Sequence, residues 1–256
     1  MQCFHVDAFA EQIFTGNPAA VCPLREWLPV PLMQAIAAEN NLAETAFFVP
    51  DGTDFAIRWF TPTVEVALCG HATLASAFVL MTRLEPTRTH VTFSSESGPL
   101  SVTREGSRYT LDFPTQLPEK RVPSPELARA LGGQPLHWYK AKYWLAVFAT
   151  QAEVAALQPD VVALRDHDNV IVTAPGEAHD FVSRFFAPGN GIDEDPVTGS
   201  AHCTLTPYWC ARLGKQALRG RQISKRGGNV WVEMRGERVG ISGHAVLVKT
   251  GEILLP

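Results

Sequence analysis

A nine-residue pattern occurs twice in this chain. Asp54-Phe55-Ala56-Ile57-Arg58-Trp59-Phe60-Thr61-Pro62 and Asp180-Phe181-Val182-Ser183-Arg184-Phe185-Phe186-Ala187-Pro188 share D-F-x-x-R-[WF]-F-x-P, and the chain has 256 residues. Two copies about half a chain apart indicate an internal duplication, and therefore two similar halves in place of one continuous core. Each copy leads into small residues that open an apolar stretch: Cys69-Gly70-His71-Ala72-Thr73 in one half, Asp195-Pro196-Val197-Thr198-Gly199-Ser200 in the other. Small residues at a helix start let a ligand approach the amides that the first turn leaves unpaired. Paired helix starts predict one site built between the halves, although a shared turn does not by itself mean shared chemistry.

Apolar residues make up 46% of the chain and charged residues 19%, so substantial cores are expected and long disorder is not. A formal net charge of −4 with scattered basic residues leaves no electrostatic footprint for nucleic acid. The five cysteines, at positions 3, 22, 69, 203 and 210, are odd in number and lack a C-x-x-C pair. That indicates neither a disulfide framework nor a zinc ribbon and suits a reducing cytoplasm. The N-terminus reads as a first strand and not as a leader. The longest apolar run, near Ala72 to Met81, is too short to span a bilayer.

The patterning predicts a strand over 2–9, a turn at Thr15-Gly16-Asn17-Pro18, a helix over 31–40 and strands over 42–49 and 55–60. A helix over 70–81 has no polar face and should be buried, as the axis of a half-barrel. Strands near 91–93, 100–103 and 109–113 follow, and 114–125, with four prolines, reads as a linker. The second half should repeat the plan, with helices near 125–131 and 152–157 and strands near 143–148, 169–173 and 181–186. Its central helix is expected over 199–213, with strands near 222–224, 229–234, 239–242 and 245–250. The expectation is an α+β chain of two similar domains, 1–115 and 116–256. Each is a β-barrel-like sheet around a central helix, with the final strand free to return to the first domain and the active site in the cleft between them.

Helix-end amides and the small or hydrogen-bonding residues Gly70, Thr73, Thr198, Gly199 and Ser200 suit a carboxylate substrate. Pro50 and Pro175 each lie six residues after Glu44 and Asn169, so one half carries a carboxylate where the other has an amide. That asymmetry suggests a base on one face only. Shielding by Phe47 and Phe48 would favour a protonated Glu44, opposed by the helix dipoles. The plain alternative is a surface glutamate at a strand start. His71 could donate to a ligand or shuttle a proton, and Asp195 could orient an amine or hydroxyl; a capped core histidine and a helix cap before Pro196 are the alternatives. Asp193 and Glu194 read as solvated.

Cys69 raises the rival of a thiol racemase, because a helix start favours the thiolate. Such an enzyme wants a second thiol opposite, whereas the duplication aligns Cys69 with Pro196 or Thr198. Cys203 lies inside its helix. No nucleotide-binding or nucleophile-elbow motif occurs, and the eight histidines show no metal-ligand spacing, so neither cofactor nor metal is expected.

With these residues in view, the chain resembles the phenazine-biosynthesis isomerase family, the PhzF-like proteins, which share the diaminopimelate epimerase type of fold. The matching blocks are Asp7-Ala-Phe9 with Phe14-Thr-Gly-Asn17-Pro-Ala-Ala-Val21, Ala43-Glu44-Thr-Ala-Phe47, Arg58-Trp-Phe-Thr-Pro62 with Glu65, Cys69-Gly-His71-Ala-Thr-Leu-Ala75, and Glu194-Asp195-Pro-Val-Thr-Gly-Ser200-Ala-His202. The resemblance implies a homodimeric isomerase without metal or cofactor, in which Glu44 moves a proton between substrate carbons. It places His71, Asp195 and Ser200 at other active-site positions, Gly70 and Gly199 near the substrate, and Asn17 as a contact or site-shaping turn. The chain is somewhat short for the family, so a loop lining the pocket could differ. Cys69 stands where the related epimerases carry one catalytic thiol, and their other thiol has no equivalent.

The expected activity is proton transfer on a small carboxylate, with Glu44 as general acid and base. The alternatives are a racemase or epimerase using Cys69, and a non-catalytic binder of small carboxylates.

Overall fold

The computed structural model describes residues 1–255, which divide into two compact units. The first comprises Met1–Phe113 together with the C-terminal segment from Ser242, and the second is Pro114–Ile241.

In the first unit, β1 (Gln2–Ala8) pairs antiparallel with β2 (Asn17–Pro23), Phe4 opposite Val21. The helix α1 (Val30–Asn40) has Pro31 in its first turn and ends on Asn41, whose left-handed conformation closes the helix through a bond from its N–H to the Ala37 carbonyl. Because the chain turns at Asn41, the next strand begins at Glu44, two residues later than the sequence pattern suggests. This strand, β3 (Glu44–Asp51), runs parallel to β2, and β4 (Asp54–Phe60) returns antiparallel to it. After the short β5 (Glu65–Val66) comes α2 (Gly70–Val79), followed by β6 (His90–Ser94), β7 (Leu100–Glu105) and β8 (Arg108–Pro114). The helical rise ends in a wider turn over Leu80–Leu84.

Strand alternation sends Phe47 to the outer face of β3, against Met33, Ile36 and Ala37 of α1. Glu44, Ala46 and Phe48 take the opposite face. Phe47 therefore does not shield Glu44, as the sequence suggested, because an odd offset along a strand changes faces. The helix α2 is buried nearly all round and touches β1, β2, β3 and β7. Its interior hydroxyls are satisfied within the helix, Thr73 donating to the Cys69 carbonyl at 2.6 Å and Ser76 to that of Ala72 at 2.8 Å.

The second unit opens with β9 (Glu119–Lys120), inside the segment read as linker, and α3 (Pro125–Leu131), capped by Ser124. Then come β10 (His137–Lys140), β11 (Trp144–Val147), α4 (Gln151–Ala156), α5 (Val161–Leu164), β12 (Val170–Pro175), β13 (Phe181–Ala187) and β14 (Ile192–Glu194). A single 3-10 turn over Gly199–Ala201 precedes α6 (His202–Leu213), so the expected helix over 199–213 is continuous only from His202. The unit continues with β15 (Ala217–Gln222), β16 (Gly228–Arg235) and the first four residues of β17 (Arg238–Gly243). The strand expected at 222–224 in fact ends at Gln222, because the alternation that pairs it with β16 lies in 217–222. In the core, Phe181 stacks on Trp209 and covers Gly220, where a Cβ would meet the ring at 2.4 Å. The last strand, β18 (Ala245–Glu252), pairs antiparallel with β1.

The two units share one plan. A parallel pair (β2–β3, β11–β12) leads into a hairpin (β3–β4, β12–β13), a short antiparallel strand (β5, β14), a central helix, and a strand parallel to the hairpin's second arm (β6, β15). Among the described residues, no helix is long and apolar enough to cross a membrane.

Candidate functional site

The polar residues of the repeated pattern do equivalent work in both units. Arg58 donates from Nε and Nη2 to the two carboxylate oxygens of Glu65 at 2.6 and 2.7 Å. Arg184 does the same to Glu194 at 2.7 and 3.0 Å. Glu194 is thus a fixed partner and not the solvated residue expected from the acidic run. The aspartates repeat as well: Asp54 accepts from the Thr92 N–H at 3.1 Å and Asp180 from that of Arg219 at 2.8 Å, each tying its strand to the next parallel strand. Planar two-point Arg–carboxylate contacts fix direction as well as distance. They set where the chain leaves β5 and β14 for the helix starts.

Glu65 and Glu194 each stand five residues before a glycine, Gly70 and Gly199. This spacing chooses between the two alignments of the duplication. Cys69 corresponds to Thr198, Gly70 to Gly199, His71 to Ser200 and Val66 to Asp195. The cap positions agree, since Cys69 precedes α2 and Thr198 precedes the 3-10 turn, both in extended conformation.

In the first unit, the ends of two neighbouring strands meet the start of α2. Asn17 opens β2 and Glu44 opens β3, which are adjacent in parallel register. Asn17 is delivered by a tight loop. Gly16 has φ +67°, and a Cβ there would lie 2.2 Å from the Ala8 carbonyl oxygen. The buried Asp7 carboxylate accepts from the Phe14 N–H at 2.7 Å and holds the loop from inside.

His71, on the first turn of α2, has Glu44 Oε2 at 3.2 Å from Nε2. On the other side of the ring, Asn17 Nδ2 lies 3.2 Å and Cys69 Sγ 3.5 Å from Nδ1. The Glu44 side chain is only 13% exposed and that of His71 7%. Burial pushes the His71 imidazole down to about 3, against a hydrogen bond to the Pro18 carbonyl that favours the charged form. The ring is neutral at physiological pH, so its 3.2 Å approach to Glu44 is not an ion pair. Such a contact can hold a carboxyl group in one rotamer and exchange a proton with it.

In the second unit, Asp195 Oδ2 accepts from the Thr198 hydroxyl. Gln222, fully buried, accepts from the Thr198 N–H at 2.9 Å and donates to the Asp195 carbonyl at 2.7 Å. Ser200 Oγ is 3.2 Å from the Tyr143 hydroxyl. His202 donates from Nδ1 to the Thr198 carbonyl at 2.9 Å. The structure thus gathers Asn17, Glu44, Cys69 and His71, with Gly70 between the last two, in one unit, and Asp195, Gly199 and Ser200 in the other. Sequence reading missed Tyr143 and Gln222, which reach the group from distant strands and carry no local motif. It also missed that Glu44, Cys69 and His71 bring three potential metal-ligand atoms within 4.8 Å of one another, since Glu44 lies far from the other two in sequence.

A family model described as phenazine biosynthesis-like protein, PhzC-PhzF, matches residues 6–251. An uncharacterized isomerase of Pseudomonas aeruginosa is 53% identical, with 98% of each chain covered. Among solved structures, a phenazine biosynthesis protein of the PhzF family from Enterococcus faecalis superposes with a TM-score of 0.96 at 48% identity, over 99% of each chain. A probable proline racemase from Agrobacterium radiobacter, 12% identical, has a TM-score of 0.64 over 100% of this chain and 93% of its own, a likeness of fold alone.

Proposed function

Since the chain belongs to the phenazine biosynthesis-like (PhzC-PhzF) family, whose membership supports a small-molecule isomerase, we propose that it moves a proton between carbons of a small carboxylate substrate with Glu44 as the single acid–base group. Glu44 removes a proton from a carbon next to an unsaturated or carboxylate-activated centre and returns it on the same face. Neutral His71 holds the carboxyl group and shares its proton. Asp195 and Ser200 bind and polarise the substrate, the Gly70 and Gly199 helix starts offer amides to its carboxylate, and Asn17 shapes the turn beside Glu44. The reaction draws on the chain's own groups and calls for no cofactor. A homodimer in a reducing cytoplasm suits this reading; light scattering on the purified chain measures the first.

The observation that carries the proposal is the 3.2 Å contact between Glu44 and a buried neutral His71, together with Asn169 and Ser200 at the corresponding places of the second unit. Half of the duplicated frame has acid–base groups where the other half has an amide and a hydroxyl. Screening cyclic and amino-substituted carboxylic acids for deuterium uptake from heavy water tests it, with the Glu44→Gln variant as control. Exchange retained in that variant sinks the assignment.

A second reading has one observation in its favour: the Cys69 thiol caps α2 and lies 3.5 Å from His71. An epimerase using that thiol requires Cys69 to be alkylated by iodoacetamide and protected by substrate. Its counterpart Thr198 cannot take a proton from carbon, which is why the one-base reading leads.

A further inference from the structure

The side chains around His71 also have the makings of a cation site. A carboxylate oxygen of Glu44, the Cys69 sulfur and a ring nitrogen of His71 all lie within 4.8 Å of one another. Tetrahedral zinc, with bonds of about 2.0–2.3 Å, sets neighbouring ligand atoms about 3.3–3.7 Å apart. The Cys69 sulfur lies 3.5 Å from His71 Nδ1 and a Glu44 oxygen 3.2 Å from Nε2, two different ring nitrogens, so each ligand pair comes near that spacing while the three atoms around one nitrogen do not yet match it. One ion uses one ring nitrogen, and a movement of the sulfur or the ring by roughly 1 Å completes the set.

We propose that Glu44, Cys69 and His71 together bind one thiophilic divalent cation, for which Zn2+ is the probe, and that the bound ion competes with proton transfer at Glu44. The binding stands on geometry alone, while the competition rests on the isomerase reading above. Sulfur, imidazole and carboxylate donors favour zinc over magnesium or calcium. On binding, Cys69 releases its thiol proton to solvent, and the thiolate and carboxylate balance the ion's charge. His71 coordinates as the neutral ring and a water takes the fourth position. A ring N–H of His71 bonded to the Pro18 carbonyl is the outer contact that orients metal-binding histidines. The second unit supplies an internal comparison. Asn169, Thr198 and Ser200 hold the corresponding positions and offer neither thiolate nor imidazole, so the expected stoichiometry is one ion per chain.

Titration of the metal-stripped chain with ZnCl2 against a chromogenic chelator tests this. The expected result is one Zn2+ per chain, with binding weakened roughly tenfold or more in both Cys69→Ser and Glu44→Gln. Co2+ in place of Zn2+ should give a thiolate-to-metal absorption band that Cys69→Ser lacks. No stoichiometric binding, or equal binding by wild type and Cys69→Ser, overturns the proposal. If a variant fails to fold, alkylation mapping on the wild type decides: Zn2+ must slow iodoacetamide labelling of Cys69, and unchanged labelling overturns the site. These readouts need no turnover, so failure to find a substrate counts against the isomerase reading and leaves the metal test intact.

Discussion

Glu44 and Asn169 hold the same position in two equivalent strand pairs. Thr45, the residue after Glu44, lies opposite Phe60, and Val170, the residue after Asn169, lies opposite Phe186; Phe60 and Phe186 are the same position of the repeated pattern. The carboxylate and the amide therefore enter their units at matched places, and only one of them can accept a proton from carbon. Glu44→Gln is expected to lower deuterium exchange into substrate by about 10²- to 10⁴-fold, the usual share of a general acid–base group. Asn169→Ala should leave the rate nearly unchanged, and NMR of the substrate proton measures both.

The two repeat arginines differ in worth because they differ in burial. Arg184 and Glu194 have side chains 13% and 23% exposed, and Arg184 also donates to the Val154 and Leu157 carbonyls at 3.1 and 2.7 Å. Arg58 and Glu65 are about a third exposed. Arg184→Met should cost about 3 kcal/mol, since it strands a half-buried carboxylate and two carbonyls. Arg58→Met should cost about 1 kcal/mol or less. Urea unfolding midpoints of the two variants give the comparison.

Acid should weaken the fold through His202. It is fully buried, donates from Nδ1 to the Thr198 carbonyl, and has no partner at Nε2 among the described residues. Burial lowers its pKa to about 4, opposed by hydrogen bonds to the Thr198 and Gly199 carbonyls. Protonation would create a second N–H with nothing to donate to. The unfolded chain, with a histidine pKa near 6.5, binds the proton first. This contribution to stability is therefore complete above about pH 6.5 and is lost as pH falls toward 4. The buried His71 acts in the same direction. His202→Asn, which keeps a donor near Nδ1, should flatten this acid limb in unfolding measured from pH 7 to pH 4.

Gly16→Ala is expected to be more damaging than an exposed glycine substitution. The left-handed backbone costs an alanine about 1 kcal/mol or more, and its Cβ would fall 2.2 Å from the Ala8 carbonyl oxygen. The loop must shift, and Asn17 moves with it. A lowered melting temperature together with a raised KM is the expected result; a change in melting alone would mean that Asn17 keeps its place.

The duplicated pattern makes much of the fold legible. Its aspartate, arginine and aromatic residues recur because each copy must join a hairpin to the next parallel strand and to a helix start. The apolar faces of Ala72 to Val79 likewise announce a buried helix. Short elements were not legible. The two-residue strands β5 and β9 have no periodicity to read, and the 3-10 turn before α6 breaks a helix that composition alone continues. Tyr143 and Gln222 carry no local signal, because what recruits them is the pairing of distant strands.

By itself the sequence determined that the chain is double, that its halves share a scaffold, and that one half carries a glutamate where the other has an amide. Those features are written in local pattern and spacing. Only the tertiary structure decided that Glu44 faces His71 and not Phe47, that Cys69 aligns with Thr198, and that Glu194 is locked to Arg184. Each depends on strand register or on a contact across many residues, where a shift of one position turns a side chain to the opposite face.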